Sequence, residues 1–299
     1  MKHIRSLLII LTATVVWSCI GVDESLKYLG QQPPGAIPEI FAPDLISKKT
    51  EHEFGSFFSK DGTEFFYAVD IDGKAEIRYC NLENSSWTNP RTIISHKNYG
   101  YNDPFLSPNE NELYYISNMP ANDHTDIPNH DIWYSIREQN GWSKPINAGN
   151  HINSIYNEYY ISFTIDGTMF FSSNVALEEN GWRNFDIYAS KNLNGIFQKP
   201  YKLNDSINST DYEADVFIAP NESYMIFCSI REDGFGQGDL YISFKKDDNN
   251  WTTAKNMGAT INTKHHELCP VVTRDGKYFF FTSNQDIYWV DAKVIEKYR

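Results

Sequence analysis

The chain has 299 residues, 39 acidic against 26 basic, a formal net charge of −13 and 15% aromatic residues. That length permits one large domain or two ordinary ones, with a substantial core. The acidic balance argues against nucleic acid and anionic lipid headgroups as partners, and the aromatic content excludes a disordered chain.

Residues 1–18 read as an export signal, with Lys2 and Arg5 ahead of an apolar run over residues 7–16. The run is too short to span a bilayer, which takes roughly 20 residues. Next comes Val16-Trp17-Ser18-Cys19-Ile20-Gly21. It resembles a bacterial lipobox, which implies lipidation at Cys19 and a membrane contact through that anchor alone. The expected location is the cell envelope, at the outer membrane. Removing the signal takes two bases and no acid, so the mature chain is more acidic still. Cys80, Cys228 and Cys269 remain, odd in number and widely spaced, and are expected as buried free thiols. Residues 19–38, with Gln31-Gln32-Pro33-Pro34-Gly35, are expected to form a tether. Residues 39–299 are expected to form one domain.

A repeat organises that domain. Ile152-Asn153-Ser154, Ile207-Asn208-Ser209 and Ile261-Asn262-Thr263 recur at 55 and 54 residues, each followed by an acid. Trp87, Trp142, Phe197 and Trp251 recur at 55, 55 and 54, and the first three precede Pro90, Pro145 and Pro200. Turn pairs appear at Asp61-Gly62, Asn109-Glu110, Asp166-Gly167, Asn221-Glu222 and Asp275-Gly276. A second acid opens a strand-like run at Glu76, Asp131, Asp186, Asp239 and Asp286. Each unit divides into four short strands. In the third they are predicted at 159–164, 169–173, 186–190 and 197–203. A short terminal helix is predicted over 290–298.

Units of this size with four antiparallel strands predict an all-β fold, a β-propeller of four-stranded blades. The last unit lacks its fourth strand, and residues 38–46 supply a candidate ahead of the first unit. The N-terminal strand is therefore expected to close the last blade. That count gives five blades rather than six.

The sequence Glu267, Pro270, Thr273, Asp275-Gly276, Phe279-Phe280-Phe281, Ser283-Asn284, Asp286-Ile287-Tyr288 resembles the WD-like repeat of TolB-like β-propellers. The lead-in Phe41-Ala42-Pro43-Asp44-Leu45-Ile46-Ser47 is similar to that of exported Bacteroidetes-type proteins with this domain. The resemblance covers about residues 39–290 and implies the fold, not an activity. Nothing resembles the OmpA-like or peptidase domains that accompany such repeats.

The acids opening the units, Glu53, Asp103, Glu158, Glu213 and Glu267, are expected where each blade begins, near the central channel. Five carboxylates there suit calcium, or a cationic or hydroxyl-rich ligand. They suit equally the backbone N–H groups of the inter-blade turns, and repetition in every unit favours that structural role. The preceding residue breaks the symmetry: His52, Asn102, Asn157, Tyr212 and His266, the last preceded by His265. Ring closure makes units one and five neighbours, so His52 and His266 are expected to converge with Glu53 and Glu267. Such a set suits a transition metal or a general base. Oligogalacturonate lyases, built on comparable repeats, hold a metal by histidine in such a channel. That resemblance implies a carbohydrate-active alternative, a polysaccharide lyase, and the resemblance to five-bladed propellers that carry glycosidases built on paired carboxylates implies a glycosidase. No Gly-x-Ser-x-Gly elbow, HExxH or phosphate loop is present, and no cofactor beyond those two metal options is implied. Trp87, Trp142 and Trp251 are expected to pack between blades, while Trp133, Trp182 and Trp289 are candidates for a sugar or peptide platform. The loops over 118–130 and 233–239 are further binding candidates. The reading is a binding or scaffolding module for an envelope protein or glycan.

Overall fold

The computed structural model describes residues 23–121, 129–175, 184–247 and 250–299. The export signal, Cys19, Trp182 and the middle of the 118–130 loop lie outside them.

The chain is an all-β ring of five antiparallel blades. The inner strands are His52–Phe58, Tyr101–Leu106, Glu158–Phe163, Tyr212–Ile218 and Leu268–Val272. The second strands, Glu64–Ile71, Glu112–Ser117, Met169–Ser173, Tyr224–Ile230 and Tyr278–Ser283, are almost wholly buried. Each is covered on both faces by neighbouring blades, which explains their continuous apolar and aromatic runs. Third strands begin at the repeated acid, at Asp131, Asp186, Asp239 and Asp286 in blades 2 to 5.

Those third-strand acids fasten the outer edge of four blades. Asp131 accepts from Asn147, Asp186 pairs with Lys202, Asp239 accepts from Asn256 and Glu76 from Thr92. The predicted fourth strand is in fact two pieces. Ile196–Phe197 folds back on Asn192–Leu193, and only Tyr201–Lys202 joins the blade. Pro200 lies between the pieces and has no N–H for a ladder. Blades 1 and 2 divide the same way around Pro90 and Pro145.

Closure follows the sequence. Glu39–Ile40 pairs antiparallel with Asp286–Asp291, Glu39 opposite Trp289 and Ile40 opposite Tyr288. The next residue, Phe41, is fully buried against Phe280 and Trp289 of blade 5 and Phe58 of blade 1. Burial of that ring contributes about 2–3 kcal/mol, gained only when the chain ends meet.

The segment expected as a tether is partly docked. Residues Glu24–Leu26 and Tyr28–Gly30 form two 3-10 turns, and Tyr28 packs edge-on against Phe58 and Tyr278. The Trp87 indole N–H donates to the Leu26 carbonyl at 2.6 Å. The C-terminal residues form a 3-10 helix over Ala292–Tyr298.

Candidate functional site

The repeated Ile-Asn-Ser/Thr motif and its following acid build the inter-blade turn. Asn153 bonds both backbone groups of Ile132, Asn208 those of Ile187, and Asn262 those of Leu240. The hydroxyl and backbone N–H of Ser154 donate to Glu158. Ser209 does the same for Glu213 and Thr263 for Glu267. A serine on the second strand completes each set: Ser173, Ser229 and Ser283. Three of the predicted site acids are thus saturated structural acceptors, fully buried and turned into the blade. Glu158 also lines a cleft of about 530 Å³ with Phe171 and Tyr188.

Glu53 breaks the pattern. Val69 stands opposite it where the other blades carry serine. It accepts one bond, from the Lys48 N–H at 3.2 Å, and its Oε2 is buried without a partner. Burial, with Glu51 and Asp286 nearby, pushes its carboxyl up to about 7. His52, Glu53, His265 and His266 line one cavity of about 370 Å³, as ring closure predicts. Glu267 does not join them. Among the described residues no group of three His, Cys, Asp or Glu is arranged to hold a metal ion.

Asp103 is not the counterpart of Glu53. Tyr101, paired with Ser117, takes that position, and Asp103 falls two residues later, in a bulge. Every inner strand has this bulge, and the residues there are Gly55, Asp103, Tyr160, Asp215 and Cys269. All five have positive φ, between 48° and 56°. A bulge re-aims its side chain, and five of them bring these residues towards the axis. Gly55 is required: a Cβ there would lie 2.7 Å from Asp103 Oδ1. The Tyr160 hydroxyl reaches across to the Pro270 carbonyl at 2.8 Å, and Arg274 of blade 5 donates to the Leu106 and Ser107 carbonyls of blade 2. These cross-ring bonds fill the axis below the bulges.

Above them opens a cavity of about 800 Å³ lined from all five blades. Asp103 and Asp215 lie at its base. The Cys269 thiol sits 3.3 Å from Asp103 Oδ1, and the Cys269 N–H engages the Asp215 carboxylate. Burial pushes Asp103 up to about 6; burial, with the charge of Asp103 added, pushes Asp215 up to about 8. The Cys228 and Cys269 thiols, both buried, are driven well above their ordinary range, and Cys228 Sγ lies 3.2 Å from His266 Nε2.

The wall is one-sided. His130, Tyr159, Phe185, Tyr212 and His266 follow one another around the mouth, with centroid separations of 4.9, 5.5, 5.9 and 6.4 Å. Burial lowers the pKa of both histidines. His130 and Phe185 each stand one residue before a third-strand acid, where blade 4 has Gly238. A Cβ on Gly238 would meet the His266 ring at 2.5 Å. The 233–239 loop thus positions His266.

Among the described residues no tryptophan platform is formed, and Trp182 lies outside them. Trp133 and Trp289 are buried, 5% and 3% exposed, because each lies on a third strand covered by a neighbouring element. Trp142 does pack between blades, against Phe66. The spacing of unit two carried the signal for Asp103, since it is two residues nearer its turn than the other acids. Asp215, between Ala214 and Val216, and Tyr160, between Tyr159 and Ile161, lay at unmarked positions.

No protein-family model and no curated protein matches the chain. Among solved structures it is similar to TolB from Acinetobacter baumannii, at 14% identity and a TM-score of 0.52. That match covers 82% of this chain but only 55% of the other, little more than half its length. A candidate TolB from Agrobacterium tumefaciens matches at 12% identity and TM-score 0.49, covering 80% and 72% of the two chains. A gluconolactonase from Xanthomonas campestris matches at 10% and 0.48, covering 86% and 97%. Such identities speak to the fold alone. The chain carries a TolB-like β-propeller fold, closed here by five blades.

Proposed function

We propose that this is an exported, Cys19-anchored lipoprotein whose propeller binds a protein or glycan partner at the cell envelope through the channel mouth. The observation that carries this reading is the asymmetric aromatic wall over an acidic base, in a ring whose other repeated residues are engaged in structure. An open cavity of this size with few convergent polar groups suits ligand recognition. Repeated positions hold the ring, and unrepeated ones are left for function.

Two measurements test it. Peptide and glycan arrays probed with the propeller and with Phe185→Ala should show ligands lost in the variant; an identical profile counts against the mouth. Cys19→Ala should move the protein from the membrane to the soluble fraction of cells.

One observation favours a second reading, a carbohydrate-active enzyme. Glu53 is a buried carboxyl with an unpartnered oxygen, beside His52 and His266 in one cavity. A carboxyl held near neutrality suits general acid or base work. Cleavage of an acidic glycan that disappears in Glu53→Gln would establish it; no cleavage by the wild type removes it.

A further inference from the structure

Among the described residues the base of the channel mouth holds two carboxylates and no counter-ion. Among the described residues neither Asp103 nor Asp215 is in an ion pair. Asp103 is 6% exposed and receives a single weak donor, the Cys269 thiol. Among the described residues Lys74 is the one Lys or Arg lining the cavity, and its Nζ is spent on the Lys97 carbonyl at 2.9 Å. Asp103 is buried and Asp215 half-buried; such carboxylates are costly without a cation, and a ligand that supplies one gains what the protein lacks.

The surroundings restrict the cation. Among the described residues a metal ion lacks a third His, Cys, Asp or Glu donor. A guanidinium binds best as a fork on both oxygens of one carboxylate, and here Oδ1 of Asp103 already faces the thiol while Asp215 takes a backbone N–H, which favours a compact cation. A neutral sugar leaves both charges unpaired. What remains is a compact charge on an apolar stem, passing Tyr159, Phe185 and Tyr212 before it reaches the acids. An alkylammonium has that shape, and aromatic faces attract its charge. The cavity, at about 800 Å³ and open to all five blades, has room for flanking residues as well.

We propose that the channel mouth receives a lysine side chain of a peptide, its ammonium between Asp103 and Asp215 and its stem along the Tyr159–Phe185–Tyr212 wall. This rests on the reading of the mouth as a binding site and names the chemistry it selects.

Among the described residues the groups facing the acid pair are Asp70, Lys74, His130, Tyr159, Tyr160, Tyr212, Cys228, His266 and Cys269. Burial raises the Tyr159, Tyr160, Tyr212 and Cys269 values and lowers those of His130 and His266. The acid pair is therefore the group that gains charge between pH 6 and 8, and lysine binding should tighten over that interval.

The test is calorimetric titration of the propeller with matched peptide libraries that differ only in a central lysine or norleucine. At pH 8 the lysine set should bind at least about tenfold tighter, a gap of about 1.4 kcal/mol. Asp215→Asn and Asp103→Asn should bring it down to the norleucine level, with melting curves showing both variants folded. On the wild type alone, the lysine preference should fall between pH 8 and pH 6. Equal binding of both sets overturns the ammonium assignment while leaving the mouth a binding site. Loss in neither aspartate variant overturns it too. Pentylamine binding as tightly as the lysine peptides overturns the peptide as occupant. Binding of either set that Phe185→Ala leaves unchanged overturns both this proposal and the mouth itself.

Discussion

Cys269 Sγ lies 3.3 Å from Asp103 Oδ1, joining blade 5 to blade 2 beneath the channel mouth, while its N–H holds Asp215 of blade 4. One residue thus fixes two carboxylates that carry no counter-charge. Their burial sets a pH dependence of stability. Asp103 at about 6, Asp215 at about 8, and Glu53 and Glu158 at about 7 all stand above their ordinary values of 3.8 and 4.5. The folded state therefore binds more protons than the unfolded one. Stability from this source is complete below about pH 4 and is lost as pH rises through 6 to 8. The melting temperature should fall by several degrees between pH 5 and pH 9, and Asp215→Asn should flatten the curve. Calorimetric scans across that range decide it; a flat wild-type profile removes the argument.

Glu53 and Val69 give a second prediction. The equivalent glutamates of blades 3 to 5 each receive a second-strand serine, and Glu53 faces a valine of nearly threonine's shape. Val69→Thr places a hydroxyl where Oε2 has no partner. It should stabilise the protein by about 1 kcal/mol and lower the Glu53 pKa. Ser229→Ala, which takes a donor from buried Glu213, should cost about 1–3 kcal/mol. Denaturant melts of the two variants should move in opposite directions. Two destabilised variants would mean that Glu53 is satisfied in a way the hydrogen-bond pattern does not show.

Much of this molecule is legible in its sequence. The period at Asn153, Asn208 and Asn262 marks one structural device, a side chain bonding both backbone groups of a third strand, and devices of that kind must repeat. Closure by the N-terminal strand was readable for the same reason, since a missing fourth strand has to be supplied from somewhere. The mouth was less legible because its residues belong to no single motif. Phe185 and His130 precede one acid, Tyr212 and His266 precede another, and only the ring sets their faces side by side. Asp103 was misplaced by matching acid to acid. Its bulge shares a backbone conformation with Gly55, Tyr160, Asp215 and Cys269, and a residue type with Asp215 alone.

Gly238 tests how that wall is held. The 233–239 loop passes so close to blade 5 that a Cβ at Gly238 would sit 2.5 Å from the His266 ring and 3.0 Å from the Cys228 sulfur. Gly238→Ala should displace His266 from the end of the aromatic wall. The stability cost should be about 1–3 kcal/mol, as for other overpacked sites. The His266 ring resonances, followed by NMR, should shift while those of His96, at the far edge of blade 1, stay put. Unmoved His266 signals would show that the loop yields instead.

Phe41 tests closure more directly than a deletion does. It is fully buried, and its ring meets Phe58 at 5.8 Å and Phe280 and Trp289 at 5.1 Å each. Its N–H also extends the pairing by donating to the Ile287 carbonyl at 2.8 Å. Phe41→Ala keeps that backbone bond and removes only the ring. The cavity left between blades 1 and 5 should cost about 3–5 kcal/mol. Because a ring of blades melts as one unit only while it is closed, the loss should appear as early exchange of the amides of Asp286–Asp291 and His52–Phe58. Hydrogen exchange read residue by residue separates this from a uniform loss. Equal acceleration in blade 3 would mean that the seam is no weaker than the rest of the ring, and that the borrowed strand adds stability without holding the ends together.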